Sequence, residues 1–165
     1  MKIKSVLEYI DKSLQNISKG IFLILLIVAT YQVFSRFVLN NSITWGHEVL
    51  VYGFIWLIML GSPCLVRDNS HATITLIVEK LTNKYKFIFV CIAGLISISF
   101  LSILFYQGIN MIIIQKGTNS PVIGIPLSLV SLSVVVGAFF MVVFYVEKII
   151  EALIRLSSQH KEEDK

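Results

Sequence analysis

Charged side chains in or beside long apolar runs are the residues of this sequence best placed to do chemistry. Arg36 lies near the end of the first apolar run, and Glu48 lies near the start of the second. Charge is costly in hydrocarbon, so ionisable groups kept there often mark ion or proton pathways. His47 adjoins Glu48, but neighbouring residues point to different faces of a helix, which favours a solvated histidine over a metal or proton-transfer couple.

A structural role is the stronger interpretation of Arg36 and Glu48. If the first two runs form an antiparallel hairpin, its turn brings these side chains together. We predict a structural ion pair that fixes the hairpin, with Glu48 also favoured at a helix N-terminus. An ion or proton site is the alternative, weakened by the lack of a second carboxylate in these runs.

Catalytic and cofactor motifs do not occur in the sequence. The patterns HExxH, GxSxG and CxxC and a phosphate-binding glycine loop are all missing. Cys64 and Cys91 are predicted to be packing residues, and His71 a loop or helix-terminal histidine without a catalytic role. We therefore expect no enzyme activity, no cofactor and no metal site.

Four long apolar stretches must position these side chains, and the mean hydropathy is +0.81. Each is long enough for a hydrocarbon layer of ~30 Å, which needs about 20 helical residues. The predicted fold is an all-α integral membrane protein, one small bundle of four transmembrane helices with an N-terminal amphipathic interfacial helix. The predicted spans are 21–39, 45–66, 87–114 and 125–150.

The segments outside the spans complete the predicted organisation. Residues 1–19 carry apolar side chains at helical spacing and predict an amphipathic helix on the membrane lipid, with a short helix packed on a partner as the alternative. Residues 20–156 form the transmembrane domain, and 157–165 form a cytoplasmic tail. Segment 67–86 is a polar connector whose pattern is too ambiguous to assign. Pro126 fits the first turn of the fourth span.

The second span carries two further patterns. Trp45, Tyr52 and Trp56 form an aromatic stripe that begins at the membrane interface and favours lipid contact or core packing. Gly46 and Gly53 lie on a different face and could admit a neighbouring helix closely. We regard these five residues as candidates for interface anchoring and subunit contact.

The basic residues predict the orientation in the membrane. Of the 14 Lys and Arg residues, only Arg36 and Lys116 lie on the side of the first and third loops, which leaves 12 on the side of both termini. The positive-inside rule then places both termini in the cytoplasm. The sequence pI of about 9.1 reflects this topology. No nucleic-acid site is predicted, because the basic residues form no single patch.

Several motifs follow one another in order along nearly the whole chain. They are Arg36-Phe37, Trp45-Gly46-His47-Glu48-Val49, the stretch from Phe54 to Ser62, Arg67 with His71, and Ser120-Pro121 leading to Ile125-Pro126. Together they resemble the small membrane subunit of tripartite ATP-independent periplasmic (TRAP) transporters, the DctQ-like or small permease family. One difference is His47, where the family commonly has an acidic residue.

The resemblance implies a scaffold in the bacterial inner membrane that pairs with a large permease subunit. That subunit would carry sodium and an organic acid anion, such as sialic acid or a C4-dicarboxylate, delivered by a periplasmic substrate-binding protein. Candidates for docking the binding protein are Asn40, Asn41, Lys116 and Asn119. The alternative function is a four-span membrane adaptor or assembly factor unrelated to transport. No residue of this chain indicates which anion is carried.

Overall fold

Four long helices make up the chain in the computed structural model, which describes residues 2–41, 43–67 and 83–163. They are α1 (Lys2–Phe37), α2 (Thr44–Arg67), α3 (Asn83–Ile114) and α4 (Leu127–Glu163). By length and composition, four segments of the described residues could cross a membrane: Lys4–Phe37, Thr44–Arg67, Gly94–Ile114 and Leu127–Ile150. The predicted all-α fold with four candidate spans is thus confirmed.

Helix α1 joins the predicted amphipathic segment and the first span without a break. Gly20 lies at the junction, and a single glycine costs a helix only about 1 kcal/mol. In the amphipathic part, Leu14 is buried in a cluster with Leu60 and Cys64 of α2 and Phe144 of α4. Leu7, Ile10 and Leu14 of the apolar face therefore pack on helices of the same chain, whereas Val6 and Ile17 of that face are more than half exposed.

The helices pack as a row. Helix α1 packs on α2, α2 packs on α4, and α4 packs on α3. The small bundle expected from the sequence is therefore open: the first and last helices of the row make no comparable contact within the described residues. Lipid tails are as apolar as leucine, so no hydrophobic force closes such a row. One face of α1 and one face of α3 stay uncovered by the described residues.

Each helix extends beyond its predicted span at one end or both, although α1 ends two residues before the predicted 39 and α4 begins two residues after the predicted 125. Helix α3 has 32 residues, or about 48 Å at 1.5 Å per residue, so it must tilt in or protrude from a hydrocarbon layer of ~30 Å. Helix α4 begins directly after Pro126 and continues into the predicted tail. Residues 68–82, which include His71 and most of the unassigned connector, lie outside the described residues.

Candidate functional site

Polar contacts concentrate at two places, one at each end of the helices. The hairpin end is where α1 connects to α2 and α3 connects to α4. The terminal end is the opposite end, where α1 begins and α2 ends. Contacts at each end join segments that are distant in sequence.

The loop between α3 and α4 folds back on itself at the hairpin end. Ser120 N–H donates to Ile125 O at 2.8 Å, and Leu127 N–H donates to Thr118 O at 3.0 Å. Ile125 N–H also donates to Ser120 Oγ at 3.2 Å. Gly124 has a φ of 76°, a left-handed conformation that side chains rarely adopt. The loop is therefore held in one shape by its own backbone.

Glu48 ties this loop to the beginning of α2. Its Oε1 accepts the Val122 N–H at 3.2 Å, and its Oε2 accepts the Ile123 N–H at 3.0 Å. Glu48 is only 8% exposed. Hydrogen bonds to an ionised acceptor are stronger than those between neutral groups, more so where water is excluded. The carboxylate thus connects α2 to the loop that joins α3 and α4.

Arg36 and Glu48 do not form the predicted ion pair among the described residues. Arg36 is exposed, and its guanidinium carbon lies 5.8 Å from the centroid of the Phe37 ring. The end of α1 is closed locally, since Ser35 Oγ donates to Asn41 O at 2.8 Å and Asn41 N–H donates to Ser35 O at 3.1 Å. The two oxygens of Glu48 are engaged by the loop, which replaces arginine as the partner.

The candidate docking residues lie at the same end of the helices. Asn40, Asn41, Lys116 and Asn119 are all exposed at the hairpin end. Asn40 has a φ of 49° and makes the left-handed turn after α1. Asn119 pairs with Pro126 through an isolated bridge. The four side chains are thus displayed on ordered turns, and their role in docking stays a prediction.

Glycines of the second span face α1. A Cβ added at Gly53 would collide with the Leu25 side chain, and one added at Gly46 would lie 3.3 Å from Gln32. The close approach that these glycines permit is therefore used inside the chain, between α1 and α2.

The residues of the aromatic stripe differ in exposure along its length. Trp45 is 43% exposed, and Tyr52 is half-buried. Trp56 packs against the buried cluster around Leu14 and Phe144. The stripe thus combines the two expected environments, an exposed position near the hairpin end and packing further along.

Arg67 makes the contacts that join three helices at the terminal end. Its Nη1 donates to Leu7 O at 3.2 Å and to Asp11 Oδ2 at 3.3 Å, both in α1. Its Nε lies 3.4 Å from Glu147 Oε2 of α4, and its Cζ lies 5.7 Å from the centroid of the Phe144 ring. The Arg67, Asp11 and Glu147 side chains are 16%, 10% and 15% exposed. One guanidinium therefore links α1, α2 and α4.

Two further contacts surround this arginine. Lys148 Nζ donates to Val66 O at 2.9 Å, which satisfies a carbonyl in the last turn of α2. Gln15 Nε2 lies 3.4 Å from Asp11. Glu147 Oε2 is buried and accepts no hydrogen bond among the described residues, so its contact with Arg67 is an ion pair by distance only.

The contacts of Arg67 with Asp11 and Glu147 were not predicted from the sequence. Asp11 lies on the polar face of an amphipathic segment, and such a charge is normally solvated. The available signal was Arg67 itself, an arginine that ends an apolar span and belongs to the motifs of the resemblance. Its partners lie 56 and 80 positions away by residue number, beyond the reach of spacing arguments.

The charged side chains at both ends make contacts between helices and loops. Within residues 2–41, 43–67 and 83–163, no group of three or more His, Cys, Asp or Glu could hold a metal ion. Glu48, Asp11 and Glu147 each contact groups of the protein itself. The arrangement can hold helices at fixed positions.

One family model and two known proteins are similar to this chain. The model of the DctQ component family of tripartite ATP-independent periplasmic transporters matches residues 25–155. A Vibrio cholerae protein, the sialic acid TRAP transporter small permease protein SiaQ, is 30% identical over 154 residues, covering 90% of this chain and 86% of that protein. A putative TRAP transporter small permease protein from Haemophilus influenzae is 23% identical over 142 residues, covering 84% and 86%.

Proposed function

We propose a scaffold role for this chain, which belongs to the DctQ family and is a small permease subunit of a TRAP transporter. In this role it pairs with a large permease subunit in the bacterial inner membrane and stays fixed while that subunit moves its cargo. A soluble periplasmic protein delivers the cargo to the hairpin end. Membership in this family favours a transport subunit over an adaptor unrelated to transport.

The cargo we propose is an organic acid anion whose uptake is driven by sodium. The Vibrio cholerae relative is named for sialic acid, which makes sialic acid the first candidate and a C4-dicarboxylate the second. The large subunit and the binding protein choose the anion. An anion site needs convergent cationic groups. In the described part of the chain Arg67 and Lys148 contact the protein itself. Arg36 and Lys116 are exposed at the hairpin end, but the first lies in the last turn of α1 and the second follows α3, the two outer helices of the row.

The scaffold proposal rests on contacts that hold the helices together at both the hairpin end and the terminal end. Arg67 links three helices at the terminal end, and Glu48 links α2 to the α3–α4 loop at the hairpin end. A subunit that moves cargo across the bilayer needs a counterpart that keeps its shape. Contacts at both ends of the helices resist the sliding and tilting that would otherwise absorb this movement.

Reconstitution tests the proposal. Proteoliposomes would contain this chain alone, the large subunit alone, or both, each with the binding protein, a sodium gradient and labelled sialic acid or succinate. We expect uptake only when both subunits are present. Full uptake by the large subunit alone would contradict a required scaffold.

An exchange experiment tests which component selects the cargo. This chain is replaced by a relative from a transporter of different specificity, and assembly of the hybrid is checked by co-purification. The preference between sialic acid and succinate should stay that of the large subunit and binding protein. A redirected preference would show that this chain contributes to the anion site.

A further inference from the structure

The uncovered face of α3 carries polar side chains inside a candidate span. Helix α3 packs on α4 through Gly94, Leu101 and Gly108, which are buried and seven residues apart. The opposite face holds Ile103, which is 62% exposed, and Tyr106, which is 64% exposed. Gln107 and Asn110 lie on or beside the same face, the first exposed and the second half-buried. Both belong to the span Gly94–Ile114.

These polar groups are poorly satisfied by the described part of the chain. The amides of Gln107 and Asn110 bond only to each other there, at 3.5 Å, the outer limit for a hydrogen bond. The Tyr106 hydroxyl has no partner among the described residues. At 1.5 Å per residue, Tyr106 and Gln107 lie ~10 Å or more along the helix from the end of the span. Where the hydrocarbon layer reaches the end of this candidate span, lipid supplies no hydrogen-bonding groups at that depth.

The uncovered face of α1 differs from the uncovered face of α3. On α1 the exposed positions of the span include Phe22, Ile24, Ile27 and Phe34. Thr30, also exposed, donates its hydroxyl to Leu26 O of its own helix at 2.8 Å. Tyr31 contributes a single hydroxyl at 49% exposure. The α1 face therefore suits lipid, whereas the α3 face carries two adjacent amides and a hydroxyl.

We infer that the α3 face around Tyr106, Gln107 and Asn110 is where this chain binds a membrane helix of the large permease subunit, through hydrogen-bonding side chains at the same depth. This inference rests on the proposed function. The large subunit is chosen as the occupant because a small permease component shares its membrane with a permease partner. Interhelical hydrogen bonds from amides and hydroxyls are a known means of holding transmembrane helices together. Helix α1, at the far end of the row, then faces lipid.

Photo-crosslinking in the assembled transporter tests this placement. p-Benzoylphenylalanine replaces Ile103 or Ile113 on the α3 face, and replaces Ile24 or Ile27 on α1 as the matched control. All four positions are exposed isoleucines. We expect adducts with the large subunit from the α3 positions at roughly ten times the yield from α1. Equal or greater yield from α1, or α3 adducts containing two copies of this chain, would overturn the inference.

A second measurement probes the polar groups directly. The double variant Gln107→Leu and Asn110→Leu should reduce the large subunit retained on co-purification roughly tenfold, as expected for losing two interhelical hydrogen bonds. The control Thr30→Val and Tyr31→Phe should retain it fully. Unchanged retention by the α3 variant would overturn the inference while leaving the proposed function intact. Failure of the unaltered chain to retain the large subunit would contradict the proposed function itself.

Discussion

Glu48 shows how a charge at the end of a span can serve a structural purpose. A carboxylate has four acceptor positions, and two consecutive backbone N–H groups supply donors in a fixed geometry. The loop that donates them must keep residues 122 and 123 aligned, which its internal hydrogen bonds achieve. The pair of contacts therefore fixes both the side chain and the loop.

Removing the charge of Glu48 should loosen the loop. In Glu48→Gln one oxygen remains as acceptor and an NH₂ group faces the second donor, so one of the two N–H groups loses its partner. We expect a loss of about 1–3 kcal/mol in local stability. Hydrogen exchange of the Val122 and Ile123 amides in purified protein measures this loss as faster exchange.

Two controls make the Glu48 experiment specific. His47→Gln changes an exposed neighbour and should leave the exchange of both amides unaltered. Arg36→Ala should also leave it unaltered, because Arg36 does not contact Glu48 in the structure. Faster exchange in the Arg36 variant would support the ion pair predicted from the sequence over the loop contact.

The sequence identified Glu48 as important and missed its partner for a physical reason. A charged residue beside an apolar run stands out because hydrocarbon excludes charge. Backbone N–H groups have no such signal, since nearly every residue carries one. The short connection between α1 and α2 made Arg36 the obvious partner, whereas the fold of the α3–α4 loop decided the contact.

At the scale of elements, α1, α2 and α4 depend on Arg67. Guanidinium groups suit this position because they present several donors in a planar fork. Asp11 and Glu147 are largely buried, so each carboxylate depends on the arginine for compensation. Loss of the cation would leave two negative charges close together at the terminal end.

Arg67→Leu should destabilise the helix row strongly. Breaking a largely buried ion pair by removing one partner leaves uncompensated charge, and we expect a loss of about 2–4 kcal/mol. Titration of the purified protein with sodium dodecyl sulfate, followed by circular dichroism, measures the change. Lys12→Ala removes an exposed cation next to Asp11 and serves as control. Equal unfolding midpoints for the two variants would contradict the central role of Arg67.

Gly137 controls how closely α4 approaches α2. An added Cβ would lie 2.5 Å from Met59 O and 3.0 Å from Met59 C, and backbone atoms cannot move aside like a flexible side chain. Gly137→Ala should therefore cost about 1–3 kcal/mol in the same titration. Gly61→Ala is the matched control: nothing lies within 4 Å of its added Cβ, and alanine favours helix. A neutral Gly137 variant would show that α2 and α4 separate easily.

Helix positions were predictable, and helix neighbours were not. Apolar runs with polar flanks locate spans well, so the predicted 45–66 lies within Thr44–Arg67. The continuity of α1 was hidden because polar residues before a span are compatible with either a surface helix or an extension. The row order depends on contacts such as Gly137 with Met59, which involve backbone shape at distant positions and leave no periodic signal.

For the whole molecule, an open row suits a subunit completed by other molecules. The described helices bury only a small share of their candidate spans, from 6% in α1 to 22% in α2 and α4. In the complex we propose, lipid and the large subunit cover the remaining surface. The contacts at the hairpin end and the terminal end hold the row together within the chain, and the polar face of α3 is the surface that we propose for the large subunit.

Orientation in the membrane is the last property to test, and it follows from charge. The 12 basic residues on the side of the termini, against two on the other side, predict that Arg67 lies at the cytoplasmic surface and Glu48 at the periplasmic surface. Alkaline phosphatase, active only in the periplasm, should be active when fused after Asn41 or Asn119. It should be inactive after Lys84 or Lys165, where green fluorescent protein should fluoresce instead. Phosphatase activity at the Lys165 fusion would contradict a cytoplasmic C-terminus and would move the proposed docking of the binding protein away from the hairpin end.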